Sequence, residues 1–365
     1  MTPSFDDLVA EGLFDPEAPD ADERRVLLER ALAAGSTVDM IRQAIDEHWL
    51  HVVPTRLAML GRSATMTVAE AGARVGLSPE TARRVWDAVR LTDSGGLECT
   101  EDDVAIFEFY VRIIPVFGEE ETLQVARVHG AAIAMMADAE VAQVRSLLEA
   151  PQRVEGADNV AVGELWLDVT SEFFTLLERA LVRLHRHQAL TTGRRYTLWG
   201  APTEEATADV VVGFADLVGF TALEHTLTPR QVDGLLRTFE ARAVGTATSA
   251  TTRVVKLIGD EVMYVAGTTD EALAIARALV DDPDLPDLRV GIAAGRVVTR
   301  AGDVFGSPVN LAARLVATAQ PGEILLDAVA AGRANDADAL EPRGARDLPG
   351  YPEPVVAYAF NPGAG

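Results

Sequence analysis

The sequence predicts an α+β protein in two parts: an all-helical first half and a second half built as a ferredoxin-like βαββαβ sheet. Three observations lead there. Residues 1–190 place apolar side chains at three- and four-residue spacing almost throughout, the period of an amphipathic helix. Beyond residue 207, short apolar runs of strand length alternate with helix-period segments. Their order, strand–helix–strand–strand–helix–strand, is that of a split βαβ unit with its helices expected on one face.

In the first half, "ADERRVLLERALAAG", "TVDMIRQAIDEHWL" and "ETLQVARVHGAAIAMMADAEVAQVRSLLEA" carry the helical period. Residues 66–91, "MTVAEAGARVGLSPETARRVWDAVRL", have the pattern of a helix-turn-helix, with Arg83, Arg84 and Arg90 on or beside its second helix. The final helix, "NVAVGELWLDVTSEFFTLLERALVRLHRHQAL", is expected to end near residue 190, closing a domain at 1–190. After it, "TTGRRYTLWGAPTEEATADV" is polar and Gly/Pro-marked, which places an interdomain linker at 191–206. The six histidines are His48, His51, His129, His185, His187 and His225. His185 and His187 close the long helix, where the C-terminal dipole favours the protonated ring.

The second domain, 207–362, opens with the strand "DVVVGFADL" and a helix at roughly 229–248. "RVVKLI" and "EVMYVAG" read as two strands joined by a hairpin at Gly259–Asp260. The helix "TDEALAIARALV", the strand "DLRVGIAAG", the helix "SPVNLAARLVATA" and the strands "GEILLD" and "EPVVAYAF" follow.

Composition removes several function classes. At 365 residues the chain can bury two sizeable cores. No apolar run approaches the roughly 20 residues that cross a bilayer, and the acidic N-terminus lacks the basic region of a secretory signal. A single cysteine, Cys99, leaves no internal disulfide and suits a reducing, cytoplasmic location. The net charge of −24 is spread over both halves, about −14 before residue 200 and −10 after. Such a chain repels nucleic acid and anionic membranes, and a polyanionic substrate among these carboxylates calls for metal ions.

Thirty-one basic side chains are arginine and one, Lys256, is lysine. Chance leaves strays of this kind, yet this one stands four residues before the acidic pair Asp260–Glu261. A compact ammonium donates to one small acceptor in a way that the planar guanidinium fork does not. Asp216 ends the first strand and Asp260 sits in the hairpin of the second and third. Because the first strand of a βαββαβ sheet neighbours the third, the two carboxylates converge, and oxygen-only surroundings suit Mg²⁺ or Mn²⁺. The loop "DLVGFT" offers the backbone N–H groups of Gly219, Phe220 and Thr221 to phosphate. Asn310 and Arg314, at i and i+4, share a helical face, and Asp303 precedes that helix.

With these residues in view, the segments "VGFADLVGFTAL", "VVKLIGDEVMYV" and "RAGDVFGSPVNLAARLVATAQPGEILL" resemble the catalytic domain of class III nucleotidyl cyclases over roughly residues 207–362. The resemblance implies that Asp216 and Asp260, with Leu217 beside the first, hold two Mg²⁺ or Mn²⁺ ions per active site. It implies that Lys256 and Asp303 select the purine, Asn310 orients the ribose, and Arg314 stabilises charge at the reacting phosphate. A lysine donor beside an aspartate acceptor matches the N1 and 6-amino edge of adenine and mismatches guanine, so the implied substrate is ATP and the product 3′,5′-cyclic AMP. Where the family shows a basic triphosphate contact near the C-terminus, "RDLPGYPEPV" has Pro349; Arg300 and Arg346 are candidate replacements. The family's sites are shared between two catalytic domains, which implies a homodimer here. The first half resembles, more weakly, the helical regulatory and autoinhibitory domain of soluble mycobacterial-type adenylyl cyclases, some of which respond to pH. Proton sensing or a small regulatory ligand there is the corresponding expectation. Two rival readings are a guanylyl cyclase and a nucleotide-sensing transcription regulator that uses residues 66–91 on DNA.

Overall fold

The computed structural model describes residues 3–61, 64–91, 99–200 and 207–361, which divide into two compact units, 1–184 and 185–365. In the first unit, helices α1 (Phe5–Ala10), α2 (Ala21–Ala33), α3 (Val38–Asp46) and α4 (Val53–Leu60) gather around Leu8, Leu28, Ile41 and Val53, all fully buried. Their starts are local: Ser4 and Thr37 each accept a hydrogen bond from a first-turn backbone N–H, satisfying a donor that the helix cannot. A second cluster joins α5 (Val68–Arg74), α6 (Pro79–Ala88), α7 (Val104–Phe117) and the start of α8 (Glu119–Val144) around Val68, Val85, Phe107 and Leu123, with Trp86 stacked on Phe107. A π-turn at Arg145–Glu149 leads to α9 (Ala150–Val154) and α10 (Asn159–Val169), and a second π-turn at Thr170–Phe174 leads into α11 (Thr175–Trp199).

The helix-turn-helix expected at 66–91 is present as α5 and α6, turned at Gly76 with φ +84°. At Gly72 a Cβ would lie 2.3 Å from that of Ala82, so the two helices meet where only glycine fits. Of the three arginines, Arg90 is exposed just past the end of α6, while Arg83 and Arg84 are half-buried. Arg84 is paired with both Glu119 and Glu120, and the exposed residues within α6 are Pro79, Glu80 and Asp87. An acidic outer face repels phosphate.

One boundary differs from expectation. The long helix does not end near residue 190 but runs to Trp199, so most of the linker placed at 191–206 is helical; residues 201–206 lie outside those described. Composition misled because "TTGRRYTLW" lacks apolar period, whereas Trp199 is held by contacts distant in sequence. Its Nε1 donates to the Thr251 carbonyl at 3.0 Å, and its ring joins the core beside Val210 and Val212.

The second unit is the α+β domain. Its strands are β1 (Thr207–Leu217), β2 (Arg253–Ile258), β3 (Glu261–Ala266), β4 (Leu288–Arg300), β5 (Asp303–Phe305), β6 (Ile324–Asp327), β7 (Leu340–Arg346) and β8 (Val355–Phe360). They form one mixed sheet in the order β2-β3-β1-β4-β6-β8-β7, with β5 folded back on β4. The first four strands stand in ferredoxin-like order, β1 between β3 and β4, as the sequence predicts.

Helices α13 (Pro229–Ala247) and α14 (Thr269–Val280) follow the short α12 (Phe220–Glu224) and cover one face. There Phe239, Ala243, Ala276 and Leu279 meet Val211, Val262 and Val290. Helix α15 (Ser307–Thr318), expected on that same face, lies on the opposite one, where Ala312 and Val316 meet Val212, Phe214 and Ala293. The reason is Gly291: a Cβ there would lie 2.3 Å from the Ala312 carbonyl oxygen and the Val316 nitrogen, and its absence lets α15 settle on the strand. The short helix α16 (Ala328–Ala331) and the strands β5 and β7 were not anticipated.

Candidate active site

Strand alternation sorts the predicted residues by face. On β1, Val210, Val212 and Phe214 point toward α15, so Asp216 points that way too. Asp216 is directly opposite Glu261 on β3 and Arg289 on β4, which therefore share its face. On β2 a bulge between Val254 and Lys256 resets the register, pairing Lys256 with Met263, whose side chain also lies in the α15-side core. The predicted metal-binding and base-reading groups thus open on one face of the sheet, the face α15 only partly covers.

At the end of β1 the charges are crowded. Leu217 N–H donates to the Asp260 carbonyl at 3.1 Å, fixing the hairpin against the strand end. Arg289 Nε and Nη2 donate to Asp216 Oδ2 at 2.7 and 2.6 Å, and its Nη1 reaches the Ala317 carbonyl at 3.3 Å. Burial raises the Asp216 carboxyl above the ordinary carboxylate range; Arg289 opposes this and the Asp260 charge adds to it. Glu261 is pushed up to about 7, first by burial and then by the charges of Asp216 and Asp260. One guanidinium leaves this neighbourhood short of positive charge. Among the described residues, no three His, Cys, Asp or Glu side chains converge as a metal cage. The donors available are two aspartates and backbone oxygen, a hard set that fits Mg²⁺ or Mn²⁺ with substrate oxygens completing the shell.

Lys256 and Asp303 meet. Lys256 Nζ donates to Asp303 Oδ2 at 2.7 Å, and Asp303 Oδ1 accepts from Val304 N–H at 2.8 Å. The aspartate is delivered by a hairpin in which Ala301 and Gly302 both have positive φ, +55° and +78°, as two-residue turns matching strand twist require. Arg253 pins that turn by donating to the Gly302 carbonyl at 2.8 Å.

Asn310 and Arg314 lie one turn apart on the exposed side of α15, and neither side chain has a hydrogen bond or ion pair among the described residues. Gly219, at φ +72°, turns the chain from β1 into α12. The Phe220 ring is buried in the core under α13, so only its backbone is available to a ligand.

The family pattern described as the adenylate and guanylate cyclase catalytic domain matches residues 203–361. Over 98% of its length the chain is 33% identical to an uncharacterized protein of Mycobacterium tuberculosis strain H37Rv, covering 94% of that protein. An adenylate cyclase of Streptomyces coelicolor is 33% identical over 78% of this chain and 76% of its own. The chain belongs to the class III nucleotidyl cyclases. A pH-sensitive adenylate cyclase of Mycobacterium tuberculosis strain CDC 1551 is 39% identical to this cyclase over 42% of the chain and 40% of its own.

Sequence reasoning missed Arg289 of the cyclase. The signal was present: in "DLRVGIAAG" a charged residue occupies a central strand, where it costs stability unless paired. Of the two arginines proposed to replace the basic contact at Pro349, Arg346 is engaged, its Nη1 donating to the Thr318 carbonyl at 2.9 Å. Arg300 ends β4 in register with Asp303 and is exposed.

Proposed function

We propose that this adenylate cyclase converts ATP to 3′,5′-cyclic AMP and pyrophosphate at sites shared between two copies, with Lys256 and Asp303 reading adenine. The Lys256–Asp303 ion pair carries the reading: donor and acceptor stand together on an accessible face. Lys256 keeps N–H groups to spare for adenine N1, and Asp303 accepts from the 6-amino group. Guanine reverses both groups, and each unpaired buried polar group costs roughly 1–3 kcal/mol.

Asp216, Asp260 and the Leu217 carbonyl would hold the metal, a role their crowded negative charge supports. Two bound Mg²⁺ or Mn²⁺ ions would lower the pKa of the ribose 3′-hydroxyl and neutralise phosphate charge. The 3′-oxygen bonds to the α-phosphorus as the bond to the β-phosphate breaks. Asn310 orients the ribose, and Arg314 stabilises charge at the α-phosphate in the transition state. The turn at Gly219, Phe220 and Thr221 lends backbone N–H groups to the phosphates. The exposed Arg300 is the candidate for the triphosphate contact in place of Pro349, and Arg289 would stand beside the metal-holding Asp216, with which it is paired. The helical first unit serves as the regulatory domain, and we place the enzyme in the cytoplasm. Among the described residues no helix is long and apolar enough to cross a membrane.

Purified protein incubated with Mn²⁺ and either ATP or GTP should yield cyclic AMP, with GTP turned over at least about tenfold more slowly. Lys256→Arg should cut ATP turnover by about tenfold or more despite the kept charge, because the fork misplaces its donors. Cyclic GMP as the main product, or unchanged ATP kinetics in Lys256→Arg, would overturn the assignment.

A further inference from the structure

Asp303 is carried by a slight piece of structure. Strand β5 spans three residues, and its ladder to β4 consists of Val298 with Phe305, Thr299 with Val304 and Arg300 with Asp303. Val304 is buried, whereas Val298 is 43% and Phe305 50% exposed. The turn holds Ala301 at φ +55°, a left-handed conformation that disfavours any residue with a Cβ. A two-stranded ribbon of this size is marginal in water on its own. A carboxylate that must meet a base edge in hydrogen-bond geometry needs firmer support.

Strand β2 supplies it with two cations. Lys256 Nζ donates to the Asp303 carboxylate, and Arg253 Nη2 donates to the carbonyl of Gly302, the preceding residue, at 2.8 Å. In an unbroken strand, positions three apart face opposite ways. The bulge between Val254 and Lys256 cancels that. Arg253 stands opposite Val265 and Lys256 opposite Met263, and both partners point into the core under α15. The two cations therefore emerge on one face and grip consecutive residues. Burial lowers the pKa of Arg253 from its usual value, and the nearby Asp303 charge is among the groups that oppose this. The guanidinium is bonded to the backbone beside the aspartate rather than to the carboxylate. Asp303 thus keeps its acceptor capacity for Lys256 and a base.

We propose that Arg253 is a positioning residue for purine selection: its bond to the Gly302 carbonyl sets where the Asp303 carboxylate stands, and so sets the preference for adenine without touching the nucleotide. This role rests on the reading of Lys256 and Asp303 as the adenine-selecting pair, and the two are tested separately. Turnover of ATP and GTP with Mn²⁺ is measured for the full-length wild type, Asp303→Ala, Arg253→Met, Arg253→Gln, Arg253→Lys and the double variant Arg253→Met with Asp303→Ala. Thermal melting verifies that each is folded.

The first two proteins decide the adenine reading: the wild type should prefer ATP, and Asp303→Ala should lose most of that preference. Arg253→Met keeps the apolar stem and Arg253→Gln the polarity, but neither brings a donor to Gly302. Each should lower the ATP-to-GTP ratio of kcat/KM by about tenfold, the scale of a lost hydrogen bond from a charged group. Arg253→Lys keeps a donor on a long stem and should stay within about threefold of the wild-type ratio. In the Asp303→Ala background, Arg253→Met should shift the ratio by less than about twofold, since the group it positions is gone. An unchanged ratio in folded Arg253→Met and Arg253→Gln would overturn the role of Arg253. Equal losses for both nucleotides, or a shift of about tenfold that persists without Asp303, would do the same. In those cases the adenine reading still stands on the Asp303→Ala result, whereas a wild type without ATP preference overturns both.

Discussion

Glu261 lies directly across from Asp216 with Asp260 beside it in sequence, and its carboxyl is pushed from about 4.5 up to about 7. The folded protein therefore holds this proton through a pH range in which the unfolded chain has released it. Stability tied to that proton is complete below the unfolded value near 4.5 and is lost as pH rises through 7. In metal-free protein, Glu261→Gln should add about 1–2 kcal/mol at pH 8, allowing for solvent screening of a half-buried group. The gain should shrink steadily as pH falls to 5.5. Urea midpoints in chelator across that range measure it, and a gain independent of pH would show that ionisation is not its cause. At this scale much of the candidate site was legible. Lys256 and Asp303 are far apart in sequence yet matched in chemistry, and the structure pairs them at 2.7 Å. Arg289 was legible only as a charge in a central strand; its partner was not, because strand register sets it and no local pattern announces that.

Helix α15 shows where element-level reading stops. "SPVNLAARLVATA" predicts a helix, and one forms at Ser307–Thr318. Its apolar period does not say which face of the sheet it covers; that follows from Gly291 on another element, where the backbones approach too closely for a Cβ. Gly291→Ala should cost about 1–3 kcal/mol, since the obstructing atoms are backbone and cannot swing aside. Gly245→Ala, inside α13 with open space at its Cβ, should be neutral or stabilising by about 0.5–1 kcal/mol. Urea denaturation with an unchanged slope separates the two, and equal midpoints would refute the close-approach argument. The strands β1 to β4 were readable from their apolar runs between turn residues. Strand β7, "LEPRGAR", was not, being polar and held in the sheet mainly by ladder bonds to β8.

For the molecule as a whole, the proposed division of labour between copies makes a quantitative demand. Asp216→Ala and Arg314→Ala proteins should each be inactive alone. In a heterodimer both defects fall in one shared site and the other is intact. Random mixing in equal amounts should then restore roughly a quarter of wild-type cyclic AMP production. Activity no higher than in either parent, with subunit exchange verified, would place all the groups of one site on one chain. The lone lysine has a consequence at this scale as well. Lys256 Nζ is the only side-chain amine in 365 residues, and it is partly open to solvent beside Asp303. Amine-directed acylating reagents pass over guanidinium groups, so among side chains they have one target in the folded protein. That target is the corner assigned to reading the purine. Surface coupling through lysine therefore tethers the enzyme at the corner proposed to read the base, and bound nucleotide should shield that amine from the reagent.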